Sequence, residues 1–90
     1  MIAQPGQAIL WNLTPFCGTV MVKGTTDAGL IVLYHMGKDE FFSVSPDDFS
    51  QCRTLTFRDE SLRASNPAQW EIQSAIWARA YQRCGIPAPS

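Results

Sequence analysis

The C-terminal part of the chain carries the signals of one long helix with both ends marked. Asn66-Pro67 is typical of a helix start, because Asn caps free backbone amides and Pro is favoured at the first helical position. Cys84-Gly85 is typical of a helix end, because Gly readily adopts the left-handed conformation that stops a helix. The sequence therefore predicts a helix over residues 66–84, and this helix limits what the rest of the chain can form.

The predicted helix has an apolar face too wide for a helix on the surface of a small domain. At about 100° per residue, its apolar side chains cover roughly half of the circumference. These side chains are Trp70, Ile72, Ile76, Trp77, Ala80, Tyr81 and Cys84. Such a helix either packs deeply into its own domain or shares its surface with a partner. Because Trp and Tyr are common at the energetic centres of interfaces, the face predicts a protein-binding surface, with Arg79 and Arg83 as a polar rim for an acidic partner.

Composition places the chain among compact globular proteins. Of the 90 residues, 46% are hydrophobic and only 17% are charged, which favours a large core with some apolar surface left for an interface. A chain of this length forms one domain, here residues 1–90, with a linker over residues 58–65 before the helix. The formal net charge is −1, so the sequence lacks the basic footprint that nucleic-acid-binding proteins usually carry.

The cysteines favour a reducing compartment. Cys17, Cys52 and Cys84 are widely spaced and odd in number, unlike the dense, even set of a disulfide-rich secreted domain. The first residues show neither the basic start nor the apolar run of a signal peptide. The longest apolar run, residues 30–34, is too short to span a bilayer. We therefore expect a cytoplasmic protein without a membrane partner.

The first two-thirds of the chain show the patterns of short strands separated by turns. The predicted strands cover residues 7–11, 18–23, 30–36, 41–44 and 53–57. The third is apolar on both faces, which predicts a strand buried on two sides. Glycines and acidic residues fill the connections, as they do in hairpin turns. Residues 45–48 predict one capped helical turn, after which Phe49 returns to the core.

Five short antiparallel strands in about fifty residues favour a small, strongly bent β-barrel over a two-sheet sandwich. A Pro-Gly entry, a Gly-Thr-Val strand, a long apolar strand and a Phe-rich strand before a Pro-led turn resemble an SH3-like barrel over residues 5–57. The resemblance concerns architecture and involves no family motif. The predicted fold is α+β: a barrel of about five strands followed by one amphipathic C-terminal helix. The alternative is an open four- or five-stranded sheet with the helix lying across it.

Residue types used in metal and nucleophilic sites are present, but without the spacing that such sites use. Cys17, Cys52, Cys84 and His35 could supply the ligands of a Cys3His zinc site, yet no closely spaced pair occurs among them. His35 is the only histidine and therefore the only imidazole base for a cysteine nucleophile, and no triad motif accompanies it. We predict no metal, no cofactor and no enzymatic activity. A small enzyme that uses His35 is the least favoured alternative.

A small barrel that binds single-stranded nucleic acid is the second hypothesis. Such barrels stack bases on exposed aromatic rings that lie beside basic groups. The candidate residues are Trp11, Phe41, Arg53 and Arg58. Two observations weaken the hypothesis: one of the adjacent Phe41 and Phe42 must point inward, and the predicted barrel is the more acidic half of the chain.

The favoured function is a noncatalytic protein-interaction or regulatory module that binds a protein partner or a second copy of itself. A small module of this kind suits an accessory inhibitor or adaptor of the type that phages and mobile elements encode, acting by covering a surface of its partner. The sequence leaves open whether the helix packs on its own strands or on another chain.

Overall fold

The computed structural model describes residues 3–13, 16–51 and 53–88, which form one antiparallel sheet, two short helices and one long helix. The strands are β1 (Ala8–Trp11), β2 (Gly18–Thr25), β3 (Ile31–His35), β4 (Glu40–Val44) and β5 (Arg53–Leu55). The helices are α1 (Pro46–Gln51), α2 (Leu62–Ser65) and α3 (Pro67–Cys84). The predicted α+β class, with a five-stranded antiparallel sheet and a C-terminal helix, is confirmed.

The sheet is open. Its strand order is β4-β3-β2-β1-β5, and all neighbouring strands pair antiparallel. Over the described residues, β4 and β5 each have one neighbour and form the two edges. β5 has three residues, and the chain leaves the sheet after Leu55. The predicted barrel is therefore not confirmed, and the open sheet with a helix across it, the alternative from the sequence, describes the structure.

Apolar side chains are buried on both faces of the sheet, as the alternation along the strands requires. The α1-side cluster consists of Ala3, Ile9, Trp11, Val20, Val22, Ile31, Leu33 and Phe49. The α3-side cluster consists of Ala8, Met21, Tyr34, Met36, Trp77, Ala80 and Cys84. β3 contributes to both clusters, which confirms the prediction that it is buried on two sides. The predicted return of Phe49 to the core is also confirmed, since α1 places this ring in the α1-side cluster.

α3 begins and ends where the sequence predicts. The Asn66 side-chain oxygen accepts a hydrogen bond from the Gln69 amide at 3.3 Å, and Pro67 is the first helical residue. Gly85 ends the helix with φ of 69°, in the left-handed region. The side chains of Trp77, Ala80 and Cys84 pack on β2 and β3 through the α3-side cluster. The helix therefore packs on its own sheet, which answers the question that the sequence left open.

Candidate functional site

The face of α3 that the sequence predicts as a binding surface has several different environments in the structure. Its centre is buried: Trp77 packs against the sheet and is only 9% exposed. One flank lies beside residues 56–60, which connect β5 to α2. The opposite flank lies beside the turn between β3 and β4. The predicted binding residues are therefore divided among a core, an apolar cleft, a polar contact and, for Ile72 and Ile76, an exposed part of the helix.

The flank beside residues 56–60 forms a cleft of about 360 Å³, which we call the aromatic groove. It is lined by Phe57, Arg58, Glu60, Trp77, Ala78, Tyr81 and Ala88. The Phe57 side chain is 77% exposed, the highest value among the large hydrophobic residues described. The rings of Trp77 and Tyr81 form the helix wall, with centroids 6.5 Å apart. The groove thus combines an exposed aromatic ring with two partly or largely buried ones.

Phe57 is exposed on a segment that is anchored on both sides. The Thr56 amide donates a hydrogen bond to the Ala8 carbonyl at 3.0 Å, which extends the contact of β5 with β1 by one residue. The Asp59 amide donates to the Gln73 side-chain oxygen on α3 at 3.1 Å. Because hydrogen bonds hold the backbone at residues 56 and 59, the Phe57 side chain extends into solvent from an ordered segment.

Trp70 lies beside the groove in contact with two guanidinium groups. The guanidinium carbons of Arg58 and Arg63 are each 4.8 Å from the centroid of the Trp70 ring. Glu60 lies 3.8 Å from Arg58 and 3.5 Å from Arg63, measured between charged atoms. Cation–π contacts of this kind hold a long, flexible side chain against an aromatic face. Trp70 is thus covered by arginine, and Arg58 reaches both the Trp70 ring and the groove.

On the opposite flank, a polar network that we call the hairpin latch ties α3 to the turn between β3 and β4. Arg79 donates a hydrogen bond to the Met36 carbonyl oxygen at 2.8 Å. Arg83 pairs with the Asp39 carboxylate at 3.1 Å, and this carboxylate also accepts a hydrogen bond from the Tyr34 hydroxyl. Arg79 and Arg83 therefore have partners within the chain. Their role as a rim for an acidic partner stays a prediction.

The contacts of the hairpin latch shift the pKa values of Asp39 and Tyr34. The hydrogen bond from Tyr34, together with the positive charges of Arg83 and Arg79, lowers the pKa of Asp39 below its ordinary value. Burial, followed by the nearby Asp39 carboxylate, raises the pKa of the Tyr34 hydroxyl. Asp39 has φ of 54°, a left-handed conformation that Asp and Asn tolerate better than most residues. The Asp39 carboxylate is therefore in its charged form when it pairs with Arg83.

The two predicted isoleucines lie on an exposed part of α3. Ile72 is 55% exposed, and Ile76 follows one turn later. Ile76 also borders a shallow notch with Met36 and Gly37. Together they leave a short apolar ridge on α3 that the sheet does not cover.

The structure does not bring together the residues of the nucleic-acid hypothesis. Trp11 is 3% exposed in the α1-side cluster and presents no face to a base. Phe41 is partly exposed on the other face, with its centroid 5.0 Å from the Lys23 ammonium. Arg58 lies on Trp70, away from both rings. Arg53 belongs to β5, and its side chain lies outside the described part of the structure.

Both ring nitrogens of His35 pair with the backbone. Nδ1 accepts a hydrogen bond from the Lys38 amide at 3.0 Å, and Nε2 lies 3.1 Å from the Cys17 carbonyl oxygen, to which it therefore donates. Cys84 lies on the opposite face of the sheet, and Cys52 is outside the described residues. Over residues 3–13, 16–51 and 53–88, no cluster of three or more His, Cys, Asp or Glu side chains is placed to hold a metal ion. No helix in these ranges has the length and apolar character needed to cross a membrane.

Four residues of the groove were not predicted as binding residues from the sequence: Phe57, Glu60, Ala78 and Ala88. Phe57 was predicted to be the last residue of a strand, but the strand ends at Leu55. One signal for its exposure is present in the sequence, because a charged run, Arg58-Asp59-Glu60, follows it directly. Ala88 carries no comparable signal.

Comparison with known proteins finds no significant similarity. No protein-family model matches the sequence, and neither a curated protein nor a solved structure matches it significantly. The interpretation of the groove therefore depends on its own residues and contacts.

Proposed function

We propose that this chain is a noncatalytic protein-interaction module whose partner binds across the aromatic groove. The exposure of Phe57 is the observation that carries the proposal. Burying an exposed Phe side chain yields roughly 1.5–3 kcal/mol of hydrophobic free energy, from which the costs of association are subtracted. Aromatic side chains beside an arginine are the residue types that dominate binding energy in protein interfaces.

The fixed backbone around Phe57 supports the same proposal. A binding residue on an ordered segment loses little conformational freedom when a partner arrives, so more of the contact energy appears as affinity. Hydrogen bonds at Thr56 and Asp59 provide this order. Tyr81 and Trp77 extend the apolar surface from Phe57 to α3. Ile72 and Ile76 can enlarge the contact area when the partner reaches over the helix.

Three finer predictions accompany this proposal. A regulatory action, in which the module covers a surface of its partner, would suit an accessory inhibitor or adaptor. The cytoplasmic setting is supported by the free thiols of Cys17 and Cys84. An SH3-like topology is supported by the strand order of the sheet. It is also supported by the order along the chain, in which α1 follows β4 and precedes β5, the two edge strands.

Selection from a random peptide library displayed on phage tests the proposal, with the purified chain as the immobilised target. We expect enriched peptides whose binding to the chain is lost in Phe57→Ala. Leu30→Ala is the matched control, because Leu30 is also an exposed apolar residue but lies in the connection between β2 and β3. Peptides that bind Phe57→Ala as well as they bind the unsubstituted chain would refute the groove as the binding site.

The same preparation tests self-association. Light scattering after size-exclusion chromatography should give the mass of a monomer across a dilution series. A dimer that dissociates in Phe57→Ala would instead make a second copy the occupant of the groove.

A further inference from the structure

Strand β4 forms one edge of the open sheet and, among the described residues, pairs only with β3. Proteins keep such edges from pairing with other chains by making them short, by placing proline, lysine or a bulge in them, or by covering them. β5, at the opposite edge, is only three residues long. β4 has five residues in unbroken register with β3 and contains neither proline nor lysine. It is therefore the edge that suits an added strand.

The backbone groups of Phe41 and Ser43 point away from the sheet. The Met36 amide, just after β3, donates a hydrogen bond to the Thr19 carbonyl oxygen of β2 at 3.2 Å, so Met36 faces β2. Because backbone groups alternate in direction along an antiparallel strand, the residue before Met36 and every second residue before that face β4. Their partners in β4, which face back toward β3, are Glu40, Phe42 and Val44. The amide and carbonyl groups of the two residues between them are thus free to pair with a further strand.

Both faces of the sheet offer apolar surface beside this edge. On the α1 side, a cleft of about 260 Å³ borders β4, and the side chains of Phe42 and Val44 line it. Phe42 stacks on Phe16 there, with centroids 4.4 Å apart. On the other side, the Phe41 ring is 43% exposed. Because side chains alternate between faces, a strand added to β4 would place every second side chain at the cleft and the others beside Phe41.

Acidic side chains lie at both ends of β4 on the face that carries the cleft. Glu40 is the first residue of β4, and Asp48 lines the cleft beyond its last residue, with Asp47 next to it in the sequence. Lys38 brings one positive charge to this region, where its ammonium lies 5.3 Å from the centroid of a ring that lines the cleft. Three carboxylates against one ammonium favour a basic partner. A second copy of β4 would bring like charges together, which opposes self-pairing.

We propose that β4 accepts an extended segment of another protein as an added antiparallel strand. The segment has apolar side chains facing the cleft and a basic residue on either side of them. Antiparallel addition continues the pairing of every other strand in the sheet and is the more stable arrangement per residue. In complexes of this kind, backbone hydrogen bonds supply affinity and the pockets beside the edge select side chains. The site is separate from the aromatic groove, which lies beside the residues that follow β5, at the opposite edge of the sheet.

Fluorescence anisotropy with labelled synthetic peptides tests the backbone pairing on the full chain. The probe is Lys-Thr-Val-Thr-Val-Thr-Lys, whose valines lie opposite Phe42 and Val44 when the amides of its last two threonines face β4. One comparison peptide is N-methylated at these two threonines, and its matched control is N-methylated at the two valines. We expect methylation of the threonines to weaken binding at least about fivefold, since two backbone hydrogen bonds are lost, and methylation of the valines to change it little. No saturable binding of the probe, or equal affinities of the two methylated peptides, would overturn the inference.

Variants of β4 test the same contact from the side of the chain. Ser43→Pro removes an outward amide, and proline is tolerated in an edge strand where its nitrogen faces solvent. Probe binding should be lost in Ser43→Pro and retained in Ser43→Ala, the matched control at the same exposed position. Circular dichroism checks that both variants are folded. If Ser43→Pro does not fold, the methylated peptides decide the question on the unsubstituted chain.

The charge complementarity has its own test. The double variant Glu40→Gln/Asp48→Asn should weaken the probe about threefold, since exposed ion pairs are individually weak. The same variant should leave the binding of a peptide with glutamine in place of both lysines unchanged. Equal effects on the two peptides would overturn the basic character assigned to the partner.

Failure of this inference is distinguishable from failure of the aromatic groove. Phe57→Ala should bind the probe as tightly as the unsubstituted chain does. A probe that requires Phe57 would overturn strand addition at β4 while the groove stands. A library peptide that is lost in Ser43→Pro but not in Phe57→Ala belongs to β4 and does not bear on the groove. A dimer that Ser43→Pro converts to a monomer would make a second copy the occupant of the edge and would overturn the foreign segment.

Discussion

The two flanks of α3 are opposite in character although they belong to one helix. At the hairpin latch, Arg79 and Arg83 each donate a hydrogen bond to the turn between β3 and β4. At the aromatic groove, Phe57 stays in water beside the Trp77 and Tyr81 rings. The first flank is tied to the turn between β3 and β4, although Ile72 and Ile76 stay exposed beside it, and the second flank leaves the Phe57 ring uncovered. Polar contacts within the chain therefore dominate one side of α3, and an exposed aromatic ring marks the other, where we propose that a partner binds.

This difference assigns separate roles to residues that look alike in the sequence. Trp70 and Trp77 lie on the same predicted apolar face, yet Trp77 is buried against the sheet and Trp70 is covered by two arginines. Phe49 lies in the short helix α1 and Phe57 follows the short strand β5, yet Phe49 is buried in the α1-side cluster and Phe57 is exposed. Substitutions within each pair separate folding from binding.

The largest effect is expected for Trp77→Ala. Removing a buried aromatic side chain leaves a cavity in the α3-side cluster, and such truncations cost about 3–5 kcal/mol in the free energy of unfolding. Trp70→Ala is the matched control, because it removes the same side chain from the same helix at a partly buried position that arginine side chains, and not the α3-side cluster, cover. Urea unfolding followed by circular dichroism measures both. Equal losses for the two variants would contradict the conclusion that Trp77, and not Trp70, is packed in the α3-side cluster.

A pH-dependent effect is expected at the hairpin latch. The pKa of Asp39 is lowered in the folded chain, so its contribution to stability is present above the ordinary aspartate pKa of about 4 and is lost as the pH falls through the folded value. Asp39→Asn keeps the left-handed backbone conformation that this position needs, but removes the charge. The stability difference between the unsubstituted chain and Asp39→Asn should therefore shrink when urea unfolding is repeated below pH 4. A difference that is constant from pH 7 to pH 3 would show that the carboxylate charge does not stabilise the latch.

Features determined by neighbouring residues were predictable from the sequence. Both ends of α3 follow local signals at Asn66 and Gly85, and the burial of β3 on two faces follows its uninterrupted apolar run. The open sheet was harder to predict, because the same five strands can close or stay open depending on how far the edge strands extend. The short β5 leaves the edge open in the structure.

Contacts between distant residues were not predictable. Arg83 pairs with Asp39, which lies 44 residues earlier, and its own surroundings in the sequence only indicated an exposed arginine. The aromatic groove joins Phe57, Trp77 and Ala88 from three separate parts of the chain. Of the groove residues, only Trp77 and Tyr81 were predicted to bind a protein partner, because aromatic periodicity on one helix can be recognised without knowing the tertiary structure; Arg58 was predicted only for the nucleic-acid alternative.

The smallest effect on stability is expected at the residue with the largest expected effect on binding. Phe57→Ala should change the free energy of unfolding by less than about 0.5 kcal/mol, because its exposed ring contributes little to the packed core. Phe49→Ala is the matched comparison: the same substitution in the α1-side cluster should cost about 3–5 kcal/mol. Both are measured by urea unfolding at neutral pH. A loss above about 1 kcal/mol in Phe57→Ala would mean that the ring packs on α3 in solution. The groove would then be part of the core, because a ring that stabilises the fold by that much is not available to a partner.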